Sequence, residues 1–305
     1  MSRLEFVNLS KNYGDLQALN NLSFSVDSGE IFGFVGSNGA GKSTAMRIAL
    51  GVLEPTSGQV TWDGVPLNFD IRTGIGYMPE ERGLYPKMKV GDQLIYLAQL
   101  HGMSPKAAKV SMEQWTEQLG IASRRSDIVQ SLSLGNQQRV QLAAALVHNP
   151  EILILDEPFS GLDPVAVDVM SKVLIDRANE GAPVIFSSHQ LELVERLSTK
   201  VGIIQSGQII AQGTVLELRS RGEDRWRLRF SEPRVAGHAW FGGLSGVTKT
   251  METLTELEFA VNTPGAEQAV LAAAQSAGTI ENFGRYLAPL SELFRHAVTE
   301  TVEEN

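Results

Sequence analysis

The chain contains no cysteine, so disulfide staples and thiolate metal sites are excluded, and a reducing compartment fits. It has no apolar run approaching the roughly 18 residues that a membrane helix needs, so it is not expected to cross a bilayer. The opening Met1-Ser2-Arg3-Leu4-Glu5-Phe6 lacks the long apolar core of a signal peptide. Positive charge is short as well: 26 Lys and Arg stand against 35 Asp and Glu, a net charge of −9, so no nucleic-acid partner is expected. Internal repeats and low-complexity segments are missing too. What remains is an ordinary soluble composition, 43% hydrophobic and 20% charged, in a 305-residue chain that more naturally makes two domains than one.

One stretch organises the chain. Gly36-Ser37-Asn38-Gly39-Ala40-Gly41-Lys42-Ser43-Thr44 fits the phosphate-loop pattern, and it lies between a strand-like Glu30–Val35 and a helix-like Ala45–Leu50, the context that pattern requires. Glycines let backbone N–H groups wrap a phosphate chain, and the following helix turns its positive end toward it. Lys42 can reach the β- and γ-phosphates and the Ser43 hydroxyl can ligand Mg²⁺. A second signal is Glu151–Pro158: four consecutive aliphatics read as a strand buried on both faces of a parallel sheet, with Asp156 and Glu157 at its carboxyl end, where ligands bind in open α/β sheets.

The rest of the chain arranges itself around these two. Residues 3–9 and 21–27 alternate as strands, with Tyr13-Gly14-Asp15 a turn between them; Tyr13 reads equally as a base-stacking ring or a surface turn residue. A short strand Gln59–Trp62 meets a hairpin turn at Asp63-Gly64, and Gly74–Met78 is a strand closed by Pro79. About 88–148 reads as a helical insertion whose last helix starts near Ser133, an N-cap followed by exposed N–H groups. Gly161-Leu162-Asp163-Pro164 turns into a helix through about Asn179; strands follow at Pro183–Phe186, Val201–Gln205 and Gln208–Gln212. A charged linker near 219–224 divides a first domain, 1–218, from a second, 219–305, read as strand (225–230), strand pair (about 247–260), helix (265–277), strand (279–287) and helix (289–299). Within it, Arg225, Arg227 and Arg229 alternate with Trp226, Leu228 and Phe230, which reads as the solvated face of a half-buried strand.

Taken in order, these motifs resemble those of an ATP-binding cassette ATPase over roughly residues 3–218. Tyr13 sits at the adenine-stacking position, Gly36–Thr44 at the phosphate loop, and Glu80 where most members have glutamine. Leu132-Ser133-Leu134-Gly135-Asn136 falls at the signature Leu-Ser-Gly-Gly-Gln, Ile152–Asp156 with Glu157 at the second nucleotide motif, Asp163 in the loop after it, and His189 at the switch histidine. The resemblance implies an α/β P-loop cassette with a mainly parallel core sheet, an antiparallel β subdomain and a helical insertion, followed here by a small α+β appendage. It implies ATP and Mg²⁺ as ligands, with Ser43, Asp156 and Glu80 toward the metal, Glu157 as general base, and His189 and Lys42 on the γ-phosphate. Ser133 and Gly135 would serve nucleotide held by the opposite subunit of a homodimer or heterodimer.

Leu134 and Asn136 depart from the signature, while the hydroxyl and bare N–H positions survive. A carboxylate at Glu80 can bind the metal more tightly, repel phosphate, or only shape a coupling loop. The appendage and the segment Gly76–Tyr85 are similar to ATPases of bacterial type-2 exporters of the sodium-efflux and drug-resistance kind. The expected function is therefore ATP hydrolysis that energises polytopic membrane permease subunits from the cytoplasmic face of the membrane. A soluble cassette ATPase acting on ribosomes or nucleic acid is the alternative. A GTPase switch is disfavoured by the lack of an Asn-Lys-x-Asp guanine reader.

Overall fold

A computed structural model describes residues 2–81, 83–220, 224–233 and 240–293. These fall into two compact units that divide between Val215 and Leu216. Arg82 and most of the helix expected at 289–299 lie outside the described residues.

In the first unit, long strands β1 (Arg3–Tyr13) and β2 (Leu16–Asp27) form a hairpin, followed by β3 (Ile31–Val35) and α1 (Lys42–Ala49). Then come β4 (Ser57–Trp62), β5 (Val65–Pro66), a short α2 (Phe69–Thr73) and β6 (Ile75–Met78). The helical insertion supplies α3 (Val90–Leu100), α4 (Pro105–Gln118) and α5 (Leu134–Leu146). The chain returns through β7 (Ile152–Leu155), α6 (Pro164–Asn179), β8 (Val184–Ser188), α7 (Leu191–Leu197), β9 (Lys200–Gln205) and β10 (Gln208–Thr214).

Two sheets result. One is antiparallel, in the order β2-β1-β4-β5. The other runs β10-β9-β3-β8-β7-β6, parallel apart from its β9–β10 hairpin edge. Every residue of β3, β7 and β8 is buried, which is why these strands read as unbroken apolar runs rather than as alternation. The two sheets share a core in which Phe6 stacks on Phe24 at 4.2 Å and Phe24 on Phe32 at 4.8 Å. β1 and β2 run closer to the turn than alternation suggests, because bulges along β1 (Phe6/Leu9, Leu9/Lys11 and Lys11/Asn12) break the period-two pattern without breaking the ladder.

The second unit contains α8 (Val215–Arg219), β11 (Arg225–Phe230), β12 (Val247–Glu252), β13 (Glu256–Val261), α9 (Ala266–Ala277) and β14 (Ile280–Arg285). Helix α8 straddles the division, and its Arg219 donates to the Leu287 and Ala288 carbonyls of the second unit. The sheet order is β12-β13-β11-β14, all antiparallel. Leu228, Phe230, Leu257 and Phe259 pack with Val270 and Ala274 of α9 to form a core of its own.

The opposite face corrects the reading of a solvated arginine stripe. Arg227 donates to Glu258 Oε1 at 3.0 Å and lies 3.9 Å over the Tyr286 ring. Arg225 pairs with Glu258 and Glu292, and Arg229 with Glu256. The strand register places Arg227 opposite Glu258 and Arg229 opposite Glu256. Arg225 and Arg227 are closed into an ion-pair network rather than left to water, whereas Arg229 is exposed beside Glu256, as a solvated face requires.

Candidate functional site

Strand β3 ends at Val35 and the chain loops over Gly36–Gly41 before α1 begins. Gly41 is the N-cap, with φ 111°, and no side chain caps this helix. A Cβ at Gly41 would stand 2.7 Å from the Ala18 carbonyl, and one at Gly36 would stand 2.5 Å from that of Ile204, so the loop sits tight against β2 and β9. Lys42 is buried, and its ammonium donates to the Gly36 and Ser37 carbonyls at 2.7 and 3.2 Å.

Facing the loop is the carboxyl end of β7. Asp156 is only 2% exposed and Glu157 7%. Both depend on Ser187, a fully buried residue at the end of β8: its hydroxyl donates to Asp156 Oδ1 at 2.6 Å and accepts from the Glu157 N–H at 2.8 Å. Glu157 takes φ 49°, a left-handed conformation that a non-glycine residue rarely adopts. It follows the last residue of β7, and its side chain lines the same cleft as the phosphate loop. Its Oε2 lies 2.9 Å from His189 Nδ1. The result is a cleft of about 290 Å³ lined by Asn38, Gly39, Ala40, Gly41, Lys42, Ser43, Thr44, Glu80, Asp156 and Glu157.

Behind it, burial and the nearby Asp156 carboxylate push the Tyr77 phenol up, and Arg47 opposes them. Sequence reasoning gave Ser187 no role although it stood next to His189, because its two bonds span 30 and 31 residues and leave no local trace.

The other expected residues lie apart from this cleft's lining. Tyr13 is about half exposed beside the β1–β2 turn, with the Lys11 ammonium 5.2 Å from its ring centroid. Gly36 is buried and Ser37 exposed, and the carbonyls of both accept from the Lys42 ammonium. Ser133 caps α5 by accepting the Asn136 N–H at 3.4 Å, and Asp163 caps α6 by accepting that of Ala166 at 2.8 Å. The Leu134 side chain lies over Gly161, where an added Cβ would come within 2.9 Å of it, so this signature variant packs against the loop before α6. Among the described residues no group of three or more His, Cys, Asp or Glu side chains forms a metal cage. Ser43, Asp156 and Glu80 line one cleft, and a hydroxyl with one or two carboxylates is the kind of oxygen set that could hold a hard divalent cation.

A phosphate loop opposite buried strand-end carboxylates on a mainly parallel sheet defines a P-loop nucleotide-binding protein. A family profile described as ABC transporter matches residues 19–160. A second, described as AAA domain, putative AbiEii toxin, type IV TA system, matches residues 127–195. The chain is 37% identical over 300 residues to the uncharacterized ABC transporter ATP-binding protein YhaQ of Bacillus subtilis, covering 97% of this chain and 98% of that protein. It is 35% identical over 239 residues to the bacitracin transport ATP-binding protein BcrA of Bacillus licheniformis, covering 76% of each. A solved ATP-binding subunit of an ABC transporter superposes with a TM-score of 0.66 at 30% identity, over 71% of this chain and 91% of that one. The protein belongs to the ABC transporter ATP-binding family.

Proposed function

We propose that this chain is the Mg²⁺-dependent ATP hydrolase that energises a membrane exporter, working as a pair of cassettes. The observation carrying this is the convergence of the phosphate loop, Lys42, Asp156 and Glu157 on one cleft. Lys42 exchanges its two loop carbonyls for β- and γ-phosphate oxygens, and so meets the nucleotide already oriented. Glu157 is the general base: its side chain lines the cleft and its carboxylate takes the proton of the attacking water. His189, bonded to that carboxylate, orients it and can donate toward the γ-phosphate when protonated. Ser187 keeps Asp156 and Glu157 in register. Bound Mg²⁺ would supply Lewis-acid neutralisation of phosphate charge, held by Ser43 and Asp156 with Glu80 nearby.

Tyr13 is assigned to the adenine, and Asp163 to the interface between cassettes. Ser133 and Gly135, at the positive end of α5, are assigned to the nucleotide of the opposite subunit. The partner is a polytopic permease met at the cytoplasmic face of the membrane. No described helix of this chain is long and apolar enough to cross a membrane, and the similarity to a bacitracin transport subunit supports export over action on ribosomes or nucleic acid. The test is phosphate release by the purified chain with and without Mg²⁺, joined to affinity purification from detergent-solubilised membranes. Mg²⁺-dependent release and a co-purifying polytopic chain are expected. Release without any membrane partner in the eluate would contradict the transport assignment while leaving the hydrolase intact.

A further inference from the structure

Helix α5 carries a second functional group beyond its N-cap. Gln141 is 3% exposed, and its Nε2 donates to the carbonyls of Pro79 at 2.6 Å and Glu81 at 3.3 Å. Both partners are acceptors, so the atom facing them is the amide nitrogen and a donor is required there. The two carbonyls flank Glu80, the residue of this loop that lines the cleft with Asp156 and Glu157. Just upstream, the Asp156 N–H donates to the Met78 carbonyl at 2.8 Å, fixing the end of β6 to the carboxylate strand. Downstream, the fully buried Gln93 of α3 accepts the Tyr85 N–H at 2.6 Å. The backbone around Glu80 is thus gripped on both sides, and the nearest grip comes from α5. Eight residues separate Ser133 from Gln141, about 12 Å along the helix.

We propose that Gln141 is a positioning residue that holds the Glu80 carboxylate at the nucleotide cleft and passes any displacement of α5 to it. This rests on the ATP-hydrolase reading above. The amide acts through the Pro79 and Glu81 carbonyls and touches no reacting atom. Removing its donor releases the loop, and Glu80 loses its place beside the phosphate loop and Asp156. The phosphate loop and Lys42, held by other contacts, keep theirs.

The experiment compares wild type, Gln141→Met, Glu80→Gln and the double variant. Measured are kcat, KM for ATP, the thermal midpoint, and the gain in affinity for a fluorescent ATP analogue when Mg²⁺ is added. At Mg²⁺ below saturation, Gln141→Met should lower kcat about three- to fivefold, no more than Glu80→Gln does, with KM within about threefold, and shrink the Mg²⁺-dependent affinity gain to a similar degree. In the double variant its effect should largely vanish, because Glu80 is the group it positions. A folded Gln141→Met protein with kcat and affinity gain within about twofold of wild type would overturn the proposal. So would an undiminished loss in the Glu80→Gln background, which would place the role of Gln141 elsewhere. Gln141→Glu keeps the side chain's shape and sets an acceptor against two carbonyls, so it provides the same comparison if the methionine variant does not fold. A wild-type protein lacking Mg²⁺-dependent hydrolysis would instead overturn the ATP-hydrolase reading itself.

Discussion

The two units bury charge in opposite ways. In the first, Lys42, Asp156 and Glu157 are sunk into the fold, yet each is held only by a hydroxyl, a backbone carbonyl or an imidazole. Among the described residues, none of the three forms an ion pair with a Lys, Arg, Asp or Glu side chain. In the second unit, Glu258 is just as deeply buried, but Arg225 and Arg227 close on it and Tyr286 closes over Arg227. Burying an unpaired charge is costly, so a fold that keeps three of them aimed into one cleft has kept them for a ligand. A fold that satisfies its charge internally has used it for structure. The first unit shows its chemistry; the second shows its architecture.

Breaking this contrast should give effects of different kind as well as size. The largest is expected from Ser133→Arg, which puts a bulky cation at the head of α5: hydrolysis should be abolished while the monomer binds ATP within about threefold of wild type, as read by analogue titration. An equal loss of monomer affinity would show that the helix end serves its own cleft. In the second unit, Glu258→Leu removes the carboxylate shared by Arg225 and Arg227, which keep Glu292 and Glu256, and should destabilise that unit by about 1–2 kcal/mol, seen as a lowered or separated thermal transition. The ATPase rate per folded molecule should stay within about twofold. A loss of turnover without loss of stability would mean that the network acts on the cleft.

Acid should distinguish the units again. His148 stacks on His101 at 3.7 Å, and burial, with the neighbouring imidazole second, lowers its pKa from 6.5 to about 4. The unfolded chain therefore takes up a proton between pH 6.5 and 4 that the folded chain refuses. Stability is highest in this respect above pH 6.5 and falls as pH drops toward 4, by on the order of 3 kcal/mol. Replacing His148 by Gln should flatten the fall of the first unit's melting temperature across that window; an unchanged slope would assign it to other groups. The smallest effect is expected from Glu80→Gln, which should raise the Mg²⁺ concentration for half-maximal activity about two- to fivefold. Coincident metal titrations would move Glu80 to the surface that meets the membrane partner.

How much of this was legible follows from the range of the contacts. The phosphate loop, the Ser133 cap, the turn at Asp163 into a helix and the apolar runs of β3, β7 and β8 are local patterns, and each stands in the structure where its residues put it. Helices α2 and α7 went unread: five and seven residues are too short for a clear helical period. Arg225 and Arg227 looked solvated because the carboxylates that cover them come from another strand and from beyond β14. Ser187 and Gln141 left no signal at all, since their partners lie 30 or more residues away. Motifs reveal which groups do the chemistry, whereas the residues that hold those groups in place emerge only once the chain is folded. YhaQ aligns across 97% of this chain, so the second unit is shared with at least that relative rather than being a local addition.

The central claim is that Glu157, whose side chain lines the cleft, is the base for ATP hydrolysis between paired cassettes. Glu157→Gln tests it most directly, because the amide keeps the side chain's size and cannot accept the water's proton. With Mg²⁺ and ATP, this variant should lose hydrolysis by about 10²-fold or more, retain ATP binding, and elute from size exclusion as a stable ATP-bound dimer. Hydrolysis within a few-fold of wild type, from a monomeric protein, would contradict both the assignment of the base and the pairing.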